Sequence, residues 1–91
     1  MRKVIVRQML SPRTYRPVAN QFEIYTPKGI YFQSYESIIA FKPHNGKTQL
    51  DEYYWDYSRT TSKYRNEFLR ETTQETKHKI KKGEYKLTNL N

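Results

Sequence analysis

The stretch Gln21-Phe22-Glu23-Ile24-Tyr25-Thr26-Pro27-Lys28-Gly29-Ile30-Tyr31-Phe32-Gln33-Ser34-Tyr35 decides the fold class. Two alternating runs flank a Pro-Lys-Gly corner. Proline presets the first corner of a turn, and glycine reaches the positive φ that such turns require. A strand turns successive side chains to opposite faces. Phe22 and Ile24 therefore face one way and Glu23 and Tyr25 the other. In the second run Ile30 and Phe32 share a face, with Tyr31, Gln33 and Tyr35 opposite. The reading is a β-hairpin.

Working outward, Ser37–Lys42 is apolar and β-branched through Ile38, Ile39 and Phe41. Pro43-His44-Asn45-Gly46 follows, and Asn-Gly is a strong hairpin signal because both residues tolerate positive φ. Lys47–Glu52 returns as a strand with Thr48 and Leu50 on one face. Upstream, Val4, Ile5 and Val6 make Lys3–Leu10 a strand. The segment 11–17, with Pro12 and Pro17, breaks regular structure. At Tyr57 the period changes. Tyr57, Thr61, Tyr64 and Phe68 recur at helical spacing, and Ser58 is placed to cap the start. Thr72-Thr73-Gln74-Glu75 reads as a capping box opening a second helix. That helix runs to about Lys82 and stops at Gly83. The tail Glu84-Tyr85-Lys86-Leu87 is either a short strand or an extended clasp.

These segments predict a single α+β domain over residues 1–91. A basic strand or arm (1–19) leads into a β-meander (20–52), followed by a helical end (57–91). The sheet holds four or five short antiparallel strands, and the two C-terminal helices pack on one face.

Composition narrows the function classes. The 91 residues carry 17 Lys plus Arg against 9 Asp plus Glu, a formal charge of +8, with no cysteine and nine tyrosines. Zero cysteines removes disulfide frameworks, thiolate zinc sites and cysteine nucleophiles. No run approaches the roughly 18 apolar residues of a membrane span. The apolar run at Val4 is too short for a signal-peptide core, so a soluble cytoplasmic protein is expected. Apart from tyrosine the chain has 23 hydrophobic residues, so tyrosine rings must fill core space. Tyr57, Tyr64 and Trp55 are assigned to packing, and Tyr53 or Tyr54 to the surface. The charge is uneven: residues 1–19 carry five basic residues and no acid, 20–57 are mildly acidic, and 58–91 hold nine basic and four acidic residues.

The first helix bears a second stripe, Arg59, Lys63, Asn66 and Arg70, flanked by Arg65. The second adds Lys77, Lys79, Lys81 and Lys82, with Gln74 and His78. Such cations can meet successive phosphates, and Asn can read an adenine edge. Two short helices with a three-residue connection are compatible with a helix-turn-helix. The plainer reading is a solvated basic face. Tyr53 and Tyr54 suit stacking or a protein contact. Asp51, Glu52 and Asp56 are close enough in sequence to suggest Mg²⁺, yet their simpler role is pairing with nearby cations. His44 and His78 are isolated, so no metal, cofactor or catalytic constellation is expected.

The runs Gly29–Ala40, Leu50–Leu69 with its Tyr-Trp-Asp-Tyr-Ser-Arg-Thr-Thr core, and Ile80–Leu87 resemble a family of small uncharacterised proteins of phages and prophages of Gram-positive bacteria. The resemblance spans roughly residues 20–91 and omits the basic arm. Arg70 stands where the pattern has a glycine, which argues against a tight turn there. The resemblance implies a small protein that binds something in an infected cell. The expectation is a non-enzymatic protein contacting DNA or RNA through Arg59, Lys63, Arg65, Asn66, Arg70, Lys77, Lys81 and Lys82. The alternative is a protein–protein module acting on a host defence or replication protein with an acidic surface, using Tyr53 and Tyr54. An exposed edge strand at 3–10 leaves a homodimer open.

Overall fold

The computed structural model describes residues 3–91, so Met1 and Arg2 of the basic arm lie outside the described residues. The elements are β1 (Ile5–Leu10), β2 (Pro17–Thr26), β3 (Gly29–Ser34), β4 (Ser37–Pro43), β5 (Gln49–Asp51), α1 (Arg59–Leu69), α2 (Thr73–Lys81) and β6 (Lys86–Thr88). The architecture is α+β, as the alternation predicted. One sheet runs in the order β1-β2-β3-β4-β5-β6. The first four pairings are antiparallel, and β6 joins β5 in parallel. The arm is thus a full member of the sheet, and the tail supplies a sixth strand.

The register decides which face each residue takes. Glu23 pairs with Phe32, and Phe32 with Ala40. Ser34, Phe32, Ile30, Ala40, Lys42 and Leu50 share the face covered by α1. Phe32 and Phe68 rings stack with centroids 5.7 Å apart. A buried hydroxyl pair, Ser34 Oγ to Thr61 Oγ1 at 2.9 Å, ties β3 to α1. Lys42 Nζ donates to the Phe68 carbonyl at 2.9 Å and lies 4.2 Å from the Phe68 ring centroid. Burial holds the Lys42 ammonium below the ordinary lysine range. A lysine at a helix C-terminus meets the carbonyls that the helix leaves unpaired.

Phe22 and Ile24 point to the opposite face, because they pair with Gln33 and Tyr31. A row Val6, Ile24, Tyr31, Phe41, Gln49 crosses the sheet there. Tyr31 and Phe41 stack at 4.2 Å within it. The inner face of β2 is accordingly polar: Gln21 is fully buried and neither amide atom has a partner. A bulge between β3 and β4 skips Ile39, so Ile39 and its neighbour Ala40 are both buried. An extra residue is what lets two consecutive side chains turn inward.

Three expectations need correction. The Asn45-Gly46 turn is wider than a two-residue hairpin, since β4 ends at Pro43 and β5 begins at Gln49. Tyr57 is 67% exposed, because it precedes the Ser58 cap and leaves the helical face. Its ring packs edge-on against Tyr54, not into the core. Arg70 does make a tight turn without glycine, adopting φ 56 and ψ 50. Among the described residues no helix is long and apolar enough to cross a membrane.

Candidate nucleic-acid interface

Ser58 Oγ accepts from the Thr61 amide at 3.1 Å and starts α1. Arg70 ends it, and the Glu71 amide returns to the Asn66 carbonyl at 3.1 Å. Two residues on, the predicted capping box forms. The Glu75 amide donates to Thr72 Oγ1 at 3.2 Å, and the Thr72 amide to Glu75 Oε1 at 2.9 Å. At Gly83 the chain reverses, with Gly83 N–H on the Ile80 carbonyl and Glu84 N–H on Lys79. The two helices are therefore fixed at both ends by local sequence.

Arg65 is not a surface residue. It is 0% exposed. Its Nη1 donates to the Trp55 carbonyl and reaches Ser62 Oγ at 3.4 Å and Asp56 Oδ1 at 3.5 Å. Its Nη2 donates to Thr73 Oγ1 at 2.8 Å and Asn66 Oδ1 at 3.1 Å. The guanidinium also lies over the Trp55 ring. Burial pushes the guanidinium below the ordinary arginine range, while Asp56 opposes that shift. Arg65 thus joins the 52–57 turn, α1 and the start of α2. Only a planar group with five donors can reach so many acceptors in one place. Asn66 is occupied as well: its Nδ2 donates to Thr73 Oγ1 at 3.2 Å and its Oδ1 accepts from Arg65. Arg65 is thereby enclosed by the fold, whereas Asn66 is half-buried with its amide bonded to its neighbours.

The remaining candidates stay outside. Arg59, Lys63, Arg70, Lys77, Lys81 and Lys82 are all exposed. Among the described residues the ion pairs are Arg65–Asp56 and Lys79–Glu71, so these six make none. Arg70 shares a groove of about 490 Å³ with Arg7 of β1, where Glu23 and Glu67 also line the wall. The basic arm and the helical end do meet there, but acids balance them at that point. Lys77, Lys81 and Lys82 lie on α2 and at its C-terminus with no acid paired to them. Tyr53 is 76% exposed, and Tyr54 is half-buried.

Two carboxylates were not legible as organising groups. Glu71 accepts from Thr76 Oγ1 at 2.6 Å, Lys79 Nζ at 2.7 Å and Tyr85 Oη at 2.7 Å. Burial raises its pKa, but these three donors outweigh it and hold it below the usual carboxylate range. In return, the hydrogen bond to Glu71 lifts Lys79 to about 12. Burial, then Glu71, lifts Tyr85 to about 12. Asp51 is fully buried, and among the described residues no cation forms an ion pair with it. It accepts from the amides of Tyr53 (3.1 Å), Tyr54 (3.0 Å) and Leu90 (2.8 Å), and from Asn91 Nδ2 (3.0 Å). Burial raises its pKa, and those donors more than reverse it. The expectation that Asp51 pairs with a nearby cation is therefore replaced by an amide-lined pocket. Its oxygens are committed to the chain, which leaves the Asp51, Glu52, Asp56 trio without the ligand a metal would need. Among the described residues no three His, Asp or Glu side chains are grouped to hold a metal ion.

Comparison with curated proteins and with solved structures gave no match. Comparison with protein families matched residues 5–86, from the first residue of β1 into β6, to one family model. The chain belongs to the family of unknown function DUF8033.

Proposed function

We propose that this protein is a non-enzymatic nucleic-acid binder of the phage type, with its helical end as the contact surface. The observation that carries the reading is the set of exposed cations outside any ion pair: Arg59, Lys63, Arg70, Lys77, Lys81 and Lys82. Buried or paired cations (Arg65, Lys79) serve the fold, and these six cations stay exposed beside them. The mechanism is electrostatic. Each phosphate met by a Lys or Arg releases condensed counterions, so affinity falls linearly in log–log form with salt. Gln74, exposed at the start of α2, and exposed tyrosines supply what base contact there is.

The test is a fluorescence-anisotropy titration of duplex DNA, single-stranded DNA and RNA over a salt series. Replacing Lys77, Lys81 and Lys82 together by Ala is expected to reduce the magnitude of the salt slope by about 2–3. No binding at low salt, or an unchanged slope in the triple variant, would refute the proposal.

A second reading is favoured by one observation. A cleft between β3–β4 and the start of α1 is lined by Tyr35, Tyr54 and Tyr57 together with Ser34, Ser58 and Thr61. Tyr35 and Tyr57 are exposed at its rim, an arrangement that suits a protein partner. Capture of a host protein from nuclease-treated lysate, lost in Tyr57→Ala, supports that reading.

A further inference from the structure

The two edges of the sheet differ in how they are closed. β6 is a three-residue strand carrying Lys86, and short, charged strands resist pairing with other chains. β1 is six residues long and, among the described residues, pairs only with β2. All its side chains except the buried Met9 are exposed, with Val6 59% and Ile5 45% accessible, and Val4 just before it is 64% accessible. Its one charge within the regular stretch, Arg7, leans back over the Tyr25 ring at 5.5 Å and does not guard the edge. The bulge opposite β2 begins only after Gln8.

The hydrogen-bond phase of the sheet shows which groups on β1 lack partners. Tyr35 N–H bonds the Asn20 carbonyl at 2.7 Å, so 20 and 35 are a hydrogen-bonded pair. Such pairs alternate along an antiparallel ladder. Even-numbered residues of β2 therefore bond β3, and Glu23 and Tyr25 bond β1. Their partners on β1 are Arg7 and Ile5. The amides and carbonyls of Val4, Val6 and Gln8 point away from the sheet.

We infer that β1 pairs antiparallel with β1 of a second copy about a two-fold axis through Val6, joining the two sheets into one. Charge and the length of the regular stretch together select this register: centring on Gln8 runs the pair into the bulge between Gln8 and Leu10, and centring on Val4 pairs only residues 3–5 of the described chain. Centring on Arg7 sets the two arginines opposite each other. Centring on Ile5 sets Arg7 opposite Lys3. Centring on Val6 sets Arg7 against Ile5 and Gln8 against Val4, with no like charges opposed. It also satisfies the outward groups of Val4, Val6 and Gln8 in both copies. The apolar row Phe41, Tyr31, Ile24, Val6 then continues into Val6 of the second copy on the face that carries no helix. On the other face α1 packs mainly over β3 and β4. Strands lie about 4.8 Å apart, so the α1 backbone is set back by about two strands from the seam, while Glu67 and Arg70 at its end reach the groove beside Arg7. The inference stands apart from the nucleic-acid reading.

An interface of one strand pair is below the usual size of a permanent dimer, so the association is concentration-dependent. Sedimentation equilibrium of the full chain, together with amide exchange at low and high concentration, tests it. Expected is a monomer–dimer equilibrium in which the amides of Val4, Val6 and Gln8 slow as concentration rises. Val6→Lys sets two ammonium groups opposite each other and weakens the dimer by about tenfold or more. Ile5→Glu places a carboxylate against Arg7 twice and tightens it by about threefold to tenfold. The proposal is overturned by a monomer up to about 1 mM, by a dimer in which those amides stay fast, or by weakening in Ile5→Glu. Circular dichroism reports whether each variant is folded, and the exchange measurement needs no substitution.

Discussion

Replacing Arg65 by Ala separates a structural arginine from a contact arginine. The substitution leaves the Trp55 carbonyl, Thr73 Oγ1, Asn66 Oδ1 and Ser62 Oγ short of a donor. Each buried acceptor left unmade costs about 1–3 kcal/mol, although Thr73 and Asn66 keep a bond to each other. Truncation also opens a cavity where the side chain was fully buried. Asp56 is 45% exposed and stays hydrated without its partner, so the unmade hydrogen bonds and the cavity together set the expected loss, about 3–5 kcal/mol. The total stability of a chain this size is on the order of 5–14 kcal/mol. A loss of 3 kcal/mol lowers the melting temperature by roughly 12–24 °C. Urea unfolding followed by fluorescence is well placed to measure it, because Trp55 is the sole tryptophan and lies against Arg65. Arg65→Lys keeps the charge but loses the planar fork, so about 2 kcal/mol should go. Lys63→Ala, at an exposed site, should change stability by less than about 0.5 kcal/mol. If Arg65→Ala unfolds at the parent midpoint and instead loses nucleic-acid affinity, the assignment of Arg65 to the interior is wrong.

Two further outcomes follow from the same geometry. Arg70→Gly relieves a left-handed backbone at φ 56 and should stabilise the protein by about 0.5–1 kcal/mol, read as a higher urea midpoint at unchanged slope. Stability should fall at both ends of the pH scale. Asp51 and Glu71 titrate below their ordinary values of 3.8 and 4.5, so their contribution is present above those values and is lost as acid protonates the folded state. Lys79 and Tyr85 are raised to about 12 from 10.5 and 10.0, so theirs is present below pH 10 and is lost on the way to 12. Asp51→Asn should flatten the acid limb and Tyr85→Phe the alkaline one in melting curves taken across pH; limbs unchanged by both would refute the assignments.

Much of the fold was legible because its signals are local. The Pro27-Lys28-Gly29 corner, the alternation beside it, the Ser58 cap and the Thr72–Glu75 box each act over a few residues. The structure reproduces all of them. Arg70 was misread for the opposite reason: glycine is the preferred solution to a left-handed cap, but the closing bond from Glu71 to Asn66 is made by backbone. Tyr57 fits the apolar spacing of α1, yet the helix begins two residues after it.

The candidate site was legible only in part. Arg59, Lys63 and Arg65 look alike as basic residues on one helix. Their difference lies in what faces them, and that comes from the 52–57 turn and from Thr73 on the next helix. Asp51 and Glu71 read as ordinary acids until residues about 40 and 14 positions away supply their donors.

The sequence by itself determined the central hairpin, the two capped helices after the strands and the charge surplus, because propensity, capping and turn chemistry are short-range; it left the tail open between strand and clasp and the sheet at four or five strands, where the structure has six. Tertiary structure decided which face of each strand is covered, which arginine is interior and which strand edge is left open. Those outcomes depend on register between strands and on packing between segments far apart in the chain, where a one-residue shift exchanges the two faces of a strand.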